Sequence, residues 1–116
     1  MQNFFKSFHY AWNGILLGTR LERNFKFHLL AGIVVILAGI WTELTMTEWF
    51  IVVVLIGGML ALELMNTAIE KVVDLVTEDY HLLAQQAKDL AAGAVLIYAI
   101  VSAIIGIILF GSKWLG

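Results

Sequence analysis

Three uncharged runs set the frame of this chain. They are Leu29–Trp41 (LLAGIVVILAGIW), Trp49–Leu62 (WFIVVVLIGGMLAL) and Leu90–Phe110. The first is short for a membrane span, but Phe25–His28 and Thr42–Leu44 extend it to about 20 residues, the usual requirement. A first transmembrane helix is therefore predicted over about 25–44, with Lys26 and His28 snorkelling at one end. The second run continues at helical period to Val76, predicting a span over about 48–76. Such a helix is about 42 Å long, against a hydrocarbon core of roughly 30 Å, so its last turns should protrude into the interface. A third span is predicted over about 89–110, after a polar, partly helical connection at Thr77–Asp89. Its Ala91, Ala92, Gly93, Ala94, Ala103 and Gly106 would allow close helix approach in lipid.

The segment before these runs reads differently. In FFKSFHYAWNGILLGT (residues 4–19), Phe4, Phe8, Trp12, Ile15 and Leu16 recur at helical spacing, with Lys6, Ser7, His9 and Asn13 between them. That pattern is too mixed to span. It predicts an amphipathic surface helix over about 4–20, lying in the membrane interface. A helix packed on a soluble body would read the same way. The pattern lacks the charged region and apolar core of a cleavable signal peptide. The expectation is one all-α, integral membrane domain over residues 1–116.

The end of the second run breaks the apolar pattern. In Glu63–Asp74 (ELMNTAIEKVVD), Glu63, Asn66, Glu70 and Asp74 fall within roughly 80° around a helix, while the other faces are Leu, Met, Ile and Val. A membrane helix keeps an acidic face where it points into protein or a wet cavity. Glu63 lies about 16 Å deeper along the axis than Asp74, so it should be the most buried of the acids.

Composition agrees with the membrane class: 61% hydrophobic, 14% charged and a mean hydropathy of +0.91. Without cysteine there are no disulfides and no cysteine-ligated metals, and the absence of proline suits long unbroken helices. With three spans, Lys6, Arg20, Arg23, Lys26, Lys71 and Lys88 share one side, and only Lys113 lies on the other. The positive-inside rule then puts residues 1–26 and 71–88 in the cytoplasm. Glu22, Glu63, Glu70, Asp74, Lys88 and Asp89 gather at that same end.

Carboxylates grouped at a membrane face can hold a divalent cation such as Mg²⁺, or relay ions or protons. A relay needs acids through the whole thickness, and the outer half of every predicted span has none. An acid set among apolar residues, as Glu63 would be, suits a general base. Asn66 could orient the base or a substrate hydroxyl, and Lys88 could counter phosphate charge. No glycine-rich phosphate loop is present, which removes the soluble nucleotide folds, and no nucleic-acid partner is expected.

These residues together resemble a known signature. Glu63-x-x-Asn66-Thr67-Ala68-x-Glu70-x-x-x-Asp74, Asp79-Tyr80-His81, Lys88-Asp89 and Ala91-Ala92-Gly93-Ala94-Val95 are similar to the motifs of the small bacterial diacylglycerol and undecaprenol kinases. Upstream, Tyr10-Ala11-Trp12-Asn13-Gly14 followed by Glu22 keeps the same spacing. The resemblance implies a homotrimeric lipid kinase of three-span subunits with an N-terminal surface helix and active sites shared between neighbours. It sits in the bacterial inner or plasma membrane, with its N-terminus and active site in the cytoplasm. Glu63 would be the base that deprotonates the lipid hydroxyl, supported by Asn66. Glu22 and Glu70 would hold Mg²⁺ on the phosphates of ATP. Tyr10, Asp79, Tyr80, His81, Lys88 and Asp89 would line the nucleotide site, and Ser7, Trp12, Asn24, His28 and Trp49 would contact the lipid. Glu22-Arg23-Asn24-Phe25-Lys26-Phe27-His28 and the Gly57–Leu62 run are similar to the undecaprenol kinases of Gram-positive bacteria, which make undecaprenyl phosphate. The Gram-negative diacylglycerol kinases, which make phosphatidic acid, carry an acid where His28 stands.

Plainer readings stand beside these. Glu22 could pair with Arg23 or Lys26, and Asp89 could favour a helix N-terminus as half of a solvated pair with Lys88. His28 and His81 could be interfacial, and Trp12, Trp41, Trp49 and Trp114 a membrane belt. A small ion or proton conductor and a non-catalytic assembly subunit are the rival functions.

Overall fold

The computed structural model describes residues 2–116, all but the connections being helical. Helix α1 spans Gln2–Leu21, α2 Arg23–Thr42, α3 Met46–Val76 and α4 Leu82–Leu115. The three spans expected from the uncharged runs correspond to α2, α3 and α4, each long and apolar enough to cross a membrane. Three such helices are consistent with a multi-pass membrane protein. Helix α4 starts well before the uncharged run: Leu82–Asp89 is rich in good helix formers, and His81 caps it by accepting from Leu83 N–H at 3.1 Å. The expected connection at Thr77–Asp89 shrinks to Thr77–His81. At 34 residues α4 measures about 51 Å, so it too overruns the hydrocarbon core.

The connections are fixed by local chemistry. Between α1 and α2 a single extended residue, Glu22, breaks the helix. At the end of α2, Glu43 takes a left-handed conformation with φ of 60°. Its N–H donates to Ile40 O, and Leu44 N–H donates to Gly39 O, closing the helix end. Thr45 then opens α3 with a capping box. Its Oγ1 accepts from Glu48 N–H at 3.3 Å, and Glu48 Oε1 accepts from Thr45 N–H at 2.8 Å.

The helices form a slab, not a closed bundle, with extents of 53 × 40 × 22 Å. Helix α3 packs against both α2 and α4, which barely meet each other. Few side chains are buried: Phe25, Leu44, Val52, Met59, Ala91 and the charged Glu63. Large apolar residues such as Leu37, Phe50, Ile97 and Ile107 stand exposed along the spans. In water this surface would aggregate; it suits lipid tails or neighbouring helices.

Close helix approach comes from three glycines, and at Gly39 of α2 a side chain would run into the ring of Trp49 of α3. A side chain at Gly18 of α1 would run into Leu64 of α3. A side chain at Gly58 would run into the ring of Tyr98, whose hydroxyl donates to Val54 O of α3 at 2.7 Å. Within the subunit, the small residues of α4 are used unevenly. Ala91 is buried, but Gly93 and Gly106 have open space around them within the subunit.

Candidate active site

The acidic face of α3 exists as one continuous helix, because nothing after Gly58 breaks it before Thr77. Glu63 is its deepest member, 5% exposed, and the only buried charged residue among those described. Its Oε1 lies 3.3 Å from Nε2 of His28 on α2. One turn along, Asn66 Nδ2 donates to Glu70 Oε1 at 2.7 Å. Asn66 Oδ1 is buried and has no partner. A buried amide oxygen without a donor is costly, and it marks a place where a ligand or water would be held. At the end of the face, Asp74 is exposed and pairs with Lys88 Nζ of α4 at 2.7 Å.

This arrangement brings Glu63, Asn66, Glu70 and Lys88 along one strip, while Asp89 is exposed on α4, accepting from Gln85 at 2.9 Å. His28 faces Glu63 directly. Glu22 stands at the α1–α2 elbow, half-buried, without a side-chain cap bond. It borders a crevice of about 470 Å³ between α1 and α3, with Gly18, Leu64, Thr67 and Lys71. Thr67 and Lys71 lie about 40–80° round α3 from Glu63, so Glu22 flanks the acidic strip without being part of it. Among the described residues no three His, Asp or Glu side chains cluster.

Other expected residues are spread more widely. Asp79, Tyr80 and His81 form the exposed α3–α4 connection. There Asp79 N–H donates to Thr77 Oγ1 at 3.2 Å, and His81 Nδ1 is occupied in capping α4. Tyr10, Ser7 and Trp12 are exposed on α1, and Ser7 is engaged locally with Asn3 O at 2.8 Å. Asn24 is exposed at the start of α2. Trp49 is the outlier. It lies fourteen residues before Glu63 on α3, about 21 Å along the axis, at the opposite end of the span.

Two features were not anticipated from sequence. One is the His28–Glu63 contact. The other is an apolar cleft of about 620 Å³ between α2, α3 and α4, with His28 and Met59 at one end and Phe110 and Trp114 at the other. It follows from the slab: α2 and α4 leave a trough over α3.

The prokaryotic diacylglycerol kinase family profile matches residues 9–110. The undecaprenol kinase of Bacillus subtilis is 52% identical over 113 residues, covering 97% of this chain and 92% of that protein. A diacylglycerol kinase of Synechocystis is 43% identical over 105 residues, 90% of this chain but 60% of that longer protein. The diacylglycerol kinase of Escherichia coli K12 is 30% identical over 109 residues, 94% of this chain and 89% of that protein. A buried carboxylate at the end of a membrane span, a polar strip beside it and this similarity over nearly the whole length agree: the chain belongs to the prokaryotic diacylglycerol kinase family, and it is a membrane lipid kinase.

Proposed function

We propose that this lipid kinase transfers the γ-phosphoryl group of ATP to undecaprenol, giving undecaprenyl phosphate. The observation that carries the acceptor assignment is the 52% identity to an undecaprenol kinase over 97% of the chain. Diacylglycerol is the second reading, favoured by the 43% identity to a diacylglycerol kinase. The buried position of Glu63 supports its role as general base. The acceptor hydroxyl loses its proton to Glu63 as its oxygen attacks the γ-phosphorus in line and the bond to ADP breaks. Lys88 neutralises phosphate charge once it releases Asp74, and Asp89, Tyr10 and the Asp79–His81 connection border the nucleotide. Such catalysis rests on positioning and electrostatics.

Glu22 and Glu70 suit Mg²⁺ by donor chemistry. Both offer hard carboxylate oxygens, and Mg²⁺ takes one or two carboxylates alongside phosphate oxygens and water. The unpartnered Asn66 Oδ1 beside Glu70 supports a polar ligand at this point. Bound there, the metal would offset charge on the transferring group. The cation pattern supports a cytoplasmic N-terminus and active site in the bacterial plasma membrane, with α1 along the interface. The uncovered apolar faces of the slab support a homotrimer whose subunits share sites.

The test is a competition assay in mixed micelles with labelled ATP, Mg²⁺, undecaprenol and diacylglycerol. Label should enter undecaprenyl phosphate. Preferential labelling of phosphatidic acid would overturn the acceptor and leave the family intact.

A further inference from the structure

We propose that His28 is a positioning residue for Glu63, holding the base in one orientation, and that this is its main task in the reaction. The inference rests on the reading of Glu63 as the base. Within the family resemblance, His28 belongs among the lipid contacts; its place in the fold points elsewhere. Its Nε2 lies 3.3 Å from Glu63 Oε1, and its side chain is 24% exposed while that of Glu63 is 6% exposed. No other charged or hydrogen-bonding side chain reaches the Glu63 carboxylate among the described residues. A buried carboxylate with no donor carries a large desolvation cost, and a donor at one oxygen restricts its rotamer.

The chemistry follows from counting lone pairs. The approach is close but is not yet an aligned hydrogen bond; once Nε2–H turns onto Oε1, Oε2 remains the free oxygen for the acceptor proton. Both the neutral Nε2–H tautomer and the imidazolium can donate in this way, so the positioning does not depend on the charge of His28. At 3.3 Å the contact is long, as catalytic contacts commonly are before substrate binds, and it would tighten in the complex. His28 also borders the apolar cleft, so it stands between that cleft and the base. A hydroxyl arriving from the cleft side would meet a carboxylate already turned to receive it. Misplacing the base by even 1 Å costs about 100-fold in rate.

Two measurements test this. The first is steady-state kinetics of His28→Leu and His28→Gln in mixed micelles, with both substrates varied. The Gln amide nitrogen can reach the place of Nε2; Leu cannot donate at all. His28→Leu should lower kcat about 100-fold with both KM values within about twofold, and His28→Gln should restore most of kcat. A His28→Leu variant altered only in the KM for the lipid would overturn the proposal and make His28 a lipid contact, as would a Gln variant no better than Leu. The second is the ¹⁵N spectrum of the His28 imidazole in the full-length protein, compared with Glu63→Gln. The Nε2 signal should shift when the carboxylate is removed. An unmoved signal would overturn the pairing even if the kinase reading stands. A shifted signal in a protein that phosphorylates no lipid alcohol would keep the pairing and overturn the kinase reading instead.

Discussion

The two ends of α3 carry the same kinds of side chain and use them in opposite ways. At its start, Glu48 accepts from Thr45 N–H and pairs with Lys113 Nζ of α4 at 2.6 Å. Trp114 adds a hydrogen bond from Nε1 to Thr42 Oγ1 at 2.9 Å and packs edge-on against Trp41. The C-terminal end of α4 is thereby clasped to the α2–α3 turn. At the other end the acids have fewer polar partners. Glu63 has one polar partner, Asn66 keeps an unpartnered oxygen, and the Lys88–Asp74 pair is 37% and 55% exposed where Lys113–Glu48 is 25% and 22%. A lysine and a carboxylate close the structure at one end and remain available for ligands at the other. The difference lies in how many donors each acid already has.

Substitutions should therefore separate the ends. The largest effect is expected at Glu63. Glu63→Gln removes the proton acceptor while keeping shape, and should lower kcat by about 100-fold or more. Far-UV circular dichroism and the elution volume in detergent should not change. Full activity would remove Glu63 from the base role and leave the kinase with another base. Next comes Glu70→Gln, which weakens a hard-oxygen ligand and should raise the Mg²⁺ concentration for half-maximal rate by about 10- to 100-fold. An unchanged Mg²⁺ titration would argue that Glu70 only orients Asn66.

At the clasped end the effects should be on stability alone. Thr45→Ala deletes the cap oxygen and should cost about 1 kcal/mol, read as an earlier unfolding midpoint, with kcat unchanged. A loss of activity without a loss of stability would mean that the two ends communicate.

How far the sequence announced all this depends on whether the cause is local. The three spans were legible because an uncharged run of about 20 residues admits little else in a chain this apolar. The burial of Glu63 was legible from its depth along α3. The capping box was passed over, although Thr45-x-x-Glu48 before an apolar run is its written form. Helix within Thr77–Asp89 was expected, but its continuity with the third span was not, because Leu82–Asp89 is polar in composition yet helix-forming in propensity. The pairings of His28 with Glu63, Lys88 with Asp74 and Lys113 with Glu48 were hidden for a different reason. Each joins helices whose relative rotation no periodicity along one helix specifies. The small-residue stripe on α4 is a case of the same kind. It shows which face could approach a neighbour, and the structure makes the closest approach at Gly58, under Tyr98.

The smallest effect should come from Asp74→Asn. An exposed lysine–carboxylate pair gains little in high dielectric and loses side-chain entropy, so its removal should leave the unfolding midpoint within the scatter of the measurement. Glu48→Ala, which breaks the less exposed pair and the capping box together, should lower it measurably. Equal shifts from the two would mean that the Lys88–Asp74 contact holds α3 to α4 as firmly as the clasp does. Lys88 would then be a structural tie, and its proposed turn from Asp74 toward phosphate would cost stability the fold cannot spare. Unequal shifts in the expected order leave Lys88 loosely parked on Asp74, the condition under which it can exchange one anion for another.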